Sequence, residues 1–168
     1  SLYIPDNVVN TISQNHDIDN MNLYGELMQG VCVATDAGQY TRLSENMPAE
    51  QLHTLVNSYY QVMFPVVRKF HGIISDVIGD AMLAIWAQPD PQPQIRIDAC
   101  HAVLEIMQAV ETFKQSQPHQ LSTRIGLHFG ELRLGNVGAA DHYEYRAVGD
   151  TINTATRIEG LNKLLGTR

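Results

Sequence analysis

Apolar positions along this chain change their spacing several times, and each change predicts an element. The run GVCVATD, residues 30–36, is apolar and β-branched until it stops at a carboxylate. Such a run predicts a buried central strand with Asp36 at its exposed C-terminal tip, where open sheets usually place chemistry. Between Pro48 and Phe70, the residues Leu52, Leu55, Val56, Tyr59, Met63, Val66, Val67 and Phe70 recur at steps of three and four. They describe one face of a long amphipathic helix, kinked at Pro65 and ended by His71-Gly72.

The stretch IIS-DVIGD-AMLAIWA predicts two strands around a tight turn, with Asp76, Gly79 and Asp80 in or beside it. Beyond the connector PDPQPQ, a second long helix is predicted over about 95–116, with Ala99, Val103, Met107, Val110 and Phe113 inward. LSTRIGLHFGELRLGNVG alternates as two strands broken at Gly130 and Gly135, and HYEYRAVG as one more short strand. Asp150 then reads as the N-cap of a last helix, TINTATRIEGLNKLLG, with Gly160 as its weak point or its end. At the start, VVNTISQN after Pro5-Asp6 reads as a short helix, so residues 1–28 are taken as a lead-in helix or linker and 29–168 as one domain. The order of elements predicts an α/β (α+β) sandwich, a mostly antiparallel sheet covered by helices.

Composition narrows the function. A chain of 168 residues with 44% hydrophobic and 17% charged content is long enough to bury a core and is not disordered. The formal charge of −7 argues against a sequence-independent DNA binder, which needs clustered cations, so no nucleic-acid partner is expected. A small polyanionic substrate is compatible with that charge if metal ions neutralise it locally. Cys32 and Cys100 each sit in an apolar stretch and are expected to be buried, reduced thiols rather than a disulfide or zinc pair. No apolar run approaches membrane-spanning length and no signal pattern opens the sequence, so a soluble, cytoplasmic chain is expected.

Two carboxylates stand out as candidate chemistry. Asp36 ends the first strand, and Asp80 follows the glycine of the hairpin. If those strands are neighbours, both side chains converge at one sheet edge, as a Mg²⁺ or Mn²⁺ pair bridging a triphosphate requires; the alternative is two solvated turn residues. The small, turn-prone AGQYT after Asp36 can turn backbone N–H groups toward a phosphate. Asn153 and Arg157, four apart, project from one helix face, either toward a ribose and a phosphoryl group or simply into solvent. The histidines show no metal-ligand spacing such as HExxH.

Four motifs carry a family resemblance over about Gly30 to Arg168: VATDAGQYTRLSE, ISDVIGDAMLAIWA, IGLHFGELRLGNVG and GDTINTATRIEGLNK. In this order and spacing the chain resembles the class III adenylate and guanylate cyclases of the bacterial receptor type. The resemblance implies a ferredoxin-like core and an enzyme that turns ATP or GTP into the 3′,5′-cyclic monophosphate and pyrophosphate. It also implies a head-to-tail homodimer in which one subunit supplies the metal ligands and the other the remaining catalytic groups. Carried over, Asp36 and Asp80 bind two divalent ions, Mg²⁺ or Mn²⁺, with the Ala37 carbonyl as a further ligand. Gly38, Gln39, Tyr40 and Thr41 contact phosphates, Asn153 orients the ribose, and Arg157 meets charge on the α-phosphoryl group.

The chain departs from the family where the base is read. Asp76 stands where adenylate cyclases carry Lys, and Arg146 where they carry Asp or Thr. Together they suit guanine O6 and N1–H, or adenine read in reverse; alternatively they pair with each other and touch no base. ATP, the family's commoner substrate, keeps a slight lead. The family's last strands and a triphosphate-binding lysine are not seen, so the C-terminal part is expected to be missing. YIPDNVV resembles a linker to an upstream, membrane-bound sensor region. A degenerate cyclase fold that only binds nucleotide or regulates is the rival reading; a diguanylate-cyclase-like enzyme is disfavoured because the turn reads VIGDAM.

Overall fold

β1 (Glu26–Gly38) runs through the middle of the sheet because it is apolar on both faces. Val31, Val33 and Ala37 face one layer, while Cys32 and Ala34 face the other, as the two-residue pleat requires. The computed structural model describes residues 25–168 except 91, 120 and 140–141. The expected helix over VVNTISQN lies outside the described residues, and β1 opens at Glu26, inside the stretch read as lead-in.

After β1 come α1 (Tyr40–Asn46), α2 (Ala49–Lys69), β2 (Ile73–Ile78), β3 (Ala81–Gln88), α3 (Pro93–Ser116), β4 (Ser122–Ala139), β5 (His142–Val148) and α4 (Asp150–Leu165). The five strands lie in the order β2-β3-β1-β4-β5, and every neighbouring pair is antiparallel. This is the predicted α+β architecture. Helices α2 and α3 cover one face, packing Leu55, Tyr59, Met63, Ala99, Ile106 and Phe113 against Val31, Val33, Met82, Ala84 and Trp86. α4 covers part of the other face, where Ala155 meets Cys32 and Ala34.

α2 includes Pro65 within its length, on an exposed position, and buries the expected stripe of Leu55, Tyr59, Met63, Val66 and Val67. It closes where His71 takes a φ of 64° and the Gly72 amide reaches back to the Val67 carbonyl at 2.9 Å. In α3 the buried face differs from the prediction: Ile95, Ala99, Ala102, Ile106, Val110 and Phe113 point inward, and Met107 is exposed. Both stripes share Ala99, Val110 and Phe113; the periodicity fits either, and packing against the sheet selects the one centred on Ala102 and Ile106. Cys32 is buried, its thiol pushed up to about 12 by burial, but Cys100 lies on the exposed side of α3.

β4 corrects the expectation of two strands. It is continuous, and its glycines mark close approach rather than breaks. A Cβ on Gly126 would stand 2.1 Å from the Ala155 carbonyl oxygen and 2.3 Å from the Glu159 nitrogen. A Cβ on Gly130 would stand 2.6 Å from the Thr151 hydroxyl. The helix therefore lies directly on the strand backbone, further tied by Thr151 donating to the Glu131 carbonyl and Asn162 to that of Ile125.

α4 itself starts differently from the prediction. Gly149, at φ 146°, takes the cap position, and Asp150 lies inside the first turn, where a carboxylate still favours the helix dipole. Gly160 neither ends nor interrupts the helix, which closes at Gly166 in the left-handed region.

Two glycine substitutions should have opposite signs. Gly126→Ala overpacks the α4–β4 contact and is expected to destabilise the fold by about 1–3 kcal/mol. Gly160→Ala, with nothing within 4 Å of a new Cβ, should stabilise it by about 0.5–1 kcal/mol. Urea unfolding midpoints of the two variants check both.

Candidate metal and nucleotide site

The β2–β3 turn is where two distant carboxylates meet. β1 and β3 pair from Gln29↔Gln88 to Thr35↔Met82, so continuing the register carries Ala37 toward Asp80. The Ala37 amide donates to Asp80 Oδ2 at 3.1 Å, and the Asp80 carboxyl lies within hydrogen-bonding reach of Asp36. Gly79 takes a φ of 61°, a conformation that favours glycine and turns the chain tightly enough to present Asp80. Burial first, and the neighbouring Asp36 carboxylate second, push Asp80 up to about 6.

Sequence reasoning missed the residue that holds this turn. Tyr60 of α2 falls outside the predicted apolar stripe, and its hydroxyl donates to the Gly79 carbonyl at 2.8 Å and lies 3.2 Å from that of Ala81. Its neighbour Tyr59, fully buried, shares a 2.7 Å hydrogen bond with Thr123 on β4. Polar tips on two aromatic core residues thus fix the hairpin and the start of β4 to one helix.

A second missed residue is Arg124. It stands opposite Asp36 in the β1–β4 register, and its Nη2 donates to Asp36 Oδ2. Its Nε donates to Glu159 Oε1 at 3.0 Å. The sequence held a signal for this pair: Glu159 occupies the inward stripe of α4, with Thr151 and Ala155, where a carboxylate must find a partner.

Asp36 and Asp80 fit a hard divalent cation. Among the described residues no group of three or more His, Cys, Asp or Glu side chains forms a metal cage. Two convergent carboxylates without a cage suit Mg²⁺ or Mn²⁺ chemistry, in which one or two carboxylates and the substrate's phosphates share the ion. Burial and the Asp36 carboxylate together make Asp80 hold its proton more tightly than an exposed aspartate does.

The other predicted residues distribute as follows. Gly38 lies against β4, where a Cβ would meet the Ser122 hydroxyl at 2.5 Å, and Gln39, at φ 74°, turns the chain into α1, which holds Tyr40 and Thr41. Tyr40 also lies close to Gly79 of the hairpin. Asn153 and Arg157 are exposed, and α4 turns them about 200° from the inward stripe. They project away from the sheet, so this chain does not bring them to its own Asp36 and Asp80.

Asp76 and Arg146 do come together. The sheet is curled enough for its edge strands β2 and β5 to touch, and Arg146 Nη2 lies 3.0 Å from Asp76 Oδ1, while the Ala147 amide donates to Ser75 Oγ at 3.0 Å. Their pair lines a cavity of about 250 Å³ with Ile74, Ser75, Val77 and Tyr145.

The family model of the adenylate and guanylate cyclase catalytic domain matches residues 23–164. The chain belongs to this family. Adenylate cyclase 1 of Rhizobium meliloti is 33% identical over 137 residues, covering 79% of this chain and 21% of that protein. The adenylyl cyclase CyaB of P. aeruginosa superposes with a TM-score of 0.76 at 25% identity, over 83% of this chain and 74% of that one. The guanylate cyclase domain of RhGC from Catenaria anguillulae, solved with GTP, gives a TM-score of 0.73 at 26% identity, over 80% of this cyclase domain and 74% of that chain. This domain spans about a fifth to a quarter of the length of the curated relatives it matches. No helix among its described residues is long and apolar enough to cross a membrane.

Tyr60→Phe should cost about 0.5–1.5 kcal/mol and loosen the hairpin without disturbing the core. Hydrogen exchange read by mass spectrometry is expected to rise in peptides spanning Ile78–Met82 and to stay unchanged in β4.

Proposed function

We propose that this cyclase domain converts a purine nucleoside triphosphate into its 3′,5′-cyclic monophosphate and pyrophosphate. The observation that carries the reading is the convergence of Asp36 and Asp80, tied through the Ala37 amide, at the end of the central strand. In this reading Asp36 and Asp80, with the Ala37 carbonyl, hold two divalent ions, Mg²⁺ or Mn²⁺. Bound there, such ions lower the pKa of the substrate's 3′-hydroxyl and carry the charge of the β- and γ-phosphates.

The chain's own groups do the rest. Residues Gly38 to Thr41 offer backbone and hydroxyl donors to the phosphates. Asn153 orients the ribose, and Arg157 meets the charge that builds on the α-phosphoryl group as the 3′-oxygen forms its bond to Pα and the bond to the β-phosphate oxygen breaks. Because Asn153 and Arg157 project away from the sheet, the reading needs a head-to-tail homodimer in which each subunit completes its partner's site. Asp76 and Arg146 read the base once nucleotide separates their mutual pair. ATP is the first candidate, since relatives such as that of Rhizobium meliloti are named adenylate cyclases, and GTP the second. In this reading the cyclase domain lies inside the cell as part of a longer protein anchored in the membrane through an upstream sensor region.

A second reading follows from the Asp76–Arg146 ion pair: a domain whose base-reading groups satisfy each other binds nucleotide for regulation without turning it over. Product identification by mass spectrometry, with ATP, GTP, CTP and UTP each supplied with Mg²⁺ or Mn²⁺, separates the two. Cyclic product is expected from a purine triphosphate, and nucleotide binding without any product would favour the regulator.

Asp36→Ala and Asp80→Ala should each lower turnover by at least about a hundredfold, the order expected when a principal electrostatic group of the site is lost. Undiminished product in both would refute the metal assignment. Mixing Asp80→Ala with Arg157→Ala chains is expected to restore one working site per mixed dimer; absence of recovery in a mixed dimer shown to form would count against shared sites.

A further inference from the structure

Side chains, not a strand ladder, join the two edges of this sheet. β2 and β5 stand at opposite ends of the strand order, yet the curl of the sheet brings them together at two links. In one, Arg146 Nη2 lies 3.0 Å from each Asp76 carboxylate oxygen. In the other, the Ala147 amide donates to Ser75 Oγ, also at 3.0 Å. The two links use neighbouring residues on both strands, so the second fixes the span across which the first is made.

A β-bulge puts these residues in place. β2 pairs Ile74 with Ala84 and then Asp76 with Leu83, which leaves Ser75 without a partner on β3. Ile74 and Ala84 belong to the core beneath α2 and α3, and unbroken alternation would turn Asp76 toward that same apolar layer. The extra residue instead sets Asp76 opposite Leu83, which packs on the α4 side. Ala147 is buried on the edge strand β5, so its amide needs the acceptor that Ser75 supplies.

The cavity of about 250 Å³ between these strands holds a guanidinium that only donates, a carboxylate that only accepts, and Tyr145. Such a set suits the edge and face of a planar heterocycle. A base entering there must part Asp76 from Arg146, and the Ser75–Ala147 bond then remains to hold β2 to β5. Its acceptor sits on a short side chain and its donor is backbone, so it tolerates little spread.

We propose that Ser75 is a specificity-determining residue, holding β2 to β5 while a purine separates Asp76 from Arg146 and so fixing the distance between the two groups that read the base. This rests on the base-reading assignment made under the proposed function. Ser75 is a positioning residue, acting through strand spacing and not by contact with the nucleotide. A fixed span matches the hydrogen-bonding edge of one purine and leaves groups unpaired against the other, which separates their affinities. Once the span can spread, the walls adjust to either base.

Binding of 3′-deoxy-ATP and 3′-deoxy-GTP, which lack the attacking hydroxyl and are not cyclised, tests this by isothermal titration calorimetry with Mn²⁺. The unaltered chain is expected to bind one of them at least about tenfold more tightly than the other. Ser75→Ala should bring the two Kd values together by about three- to tenfold, chiefly by weakening the better-bound purine. Ser75→Thr keeps the acceptor oxygen and should keep the ratio. Ser75→Cys, of similar size but a weak acceptor, should behave as Ser75→Ala does and serves if that variant folds poorly by circular dichroism. If neither analogue binds, the nucleotide site of the proposed function falls and this proposal with it. If both bind but the unaltered chain does not discriminate, or the Ala and Cys variants leave the ratio unchanged by weakening both purines equally or neither, the nucleotide site stands and Ser75 does not set its specificity.

Discussion

Like charges repel, and this fold places two carboxylates from distant parts of the chain beside each other. What holds Asp80 to Asp36 is the antiparallel register of β1 and β3, which ends at Thr35↔Met82 and delivers the turn residue to the Ala37 amide. The sheet, buried beneath α2 and α3, supplies the stability to hold that arrangement. Tyr60 then fixes the turn from the helical layer, so the geometry depends on the core and not on attraction between the groups themselves.

The same constraint explains the cations nearby. Two carboxylates held side by side and partly buried favour a bound proton or a cation, and Asp80 is shifted up by burial first and by Asp36 second. Arg124 lies where the register brings β4 opposite Asp36, and Glu159 steadies it from α4. On the far side of the curled sheet, Asp76 and Arg146 solve a similar problem by pairing across its two edges. Both ion pairs involve residues that the family resemblance ties to metal or base.

α4 divides the chain's chemistry between two directions. Its inward stripe of Thr151, Ala155 and Glu159 is pressed onto the glycines of β4, while Asn153 and Arg157 face outward. A helix locked so closely to a strand cannot rotate its outer residues inward without breaking the packing at Gly126. The two sets of residues on α4 therefore face different surroundings, the inward one β4 and the outward one the exterior of the domain.

Much of this was written in the sequence because it follows from local rules. The β-branched run ending in Asp36, the stripe of α2 and the Gly-Asp hairpin each obey a period or a turn preference that a short window contains. The unbroken β4, the inward face of α3, the exposure of Cys100 and the roles of Tyr60, Arg124 and Glu159 were not legible in that way. Glycine in a strand looks the same whether it breaks the strand or admits a helix, and two overlapping stripes fit one helix until a neighbour chooses between them. An arginine gains its meaning from whichever carboxylate the register sets opposite it. Sequence alone determined most of the elements and offered Asp36 and Asp80 as candidates for chemistry; tertiary structure decided which residues meet, because strand register and helix docking are long-range contacts that no local pattern encodes.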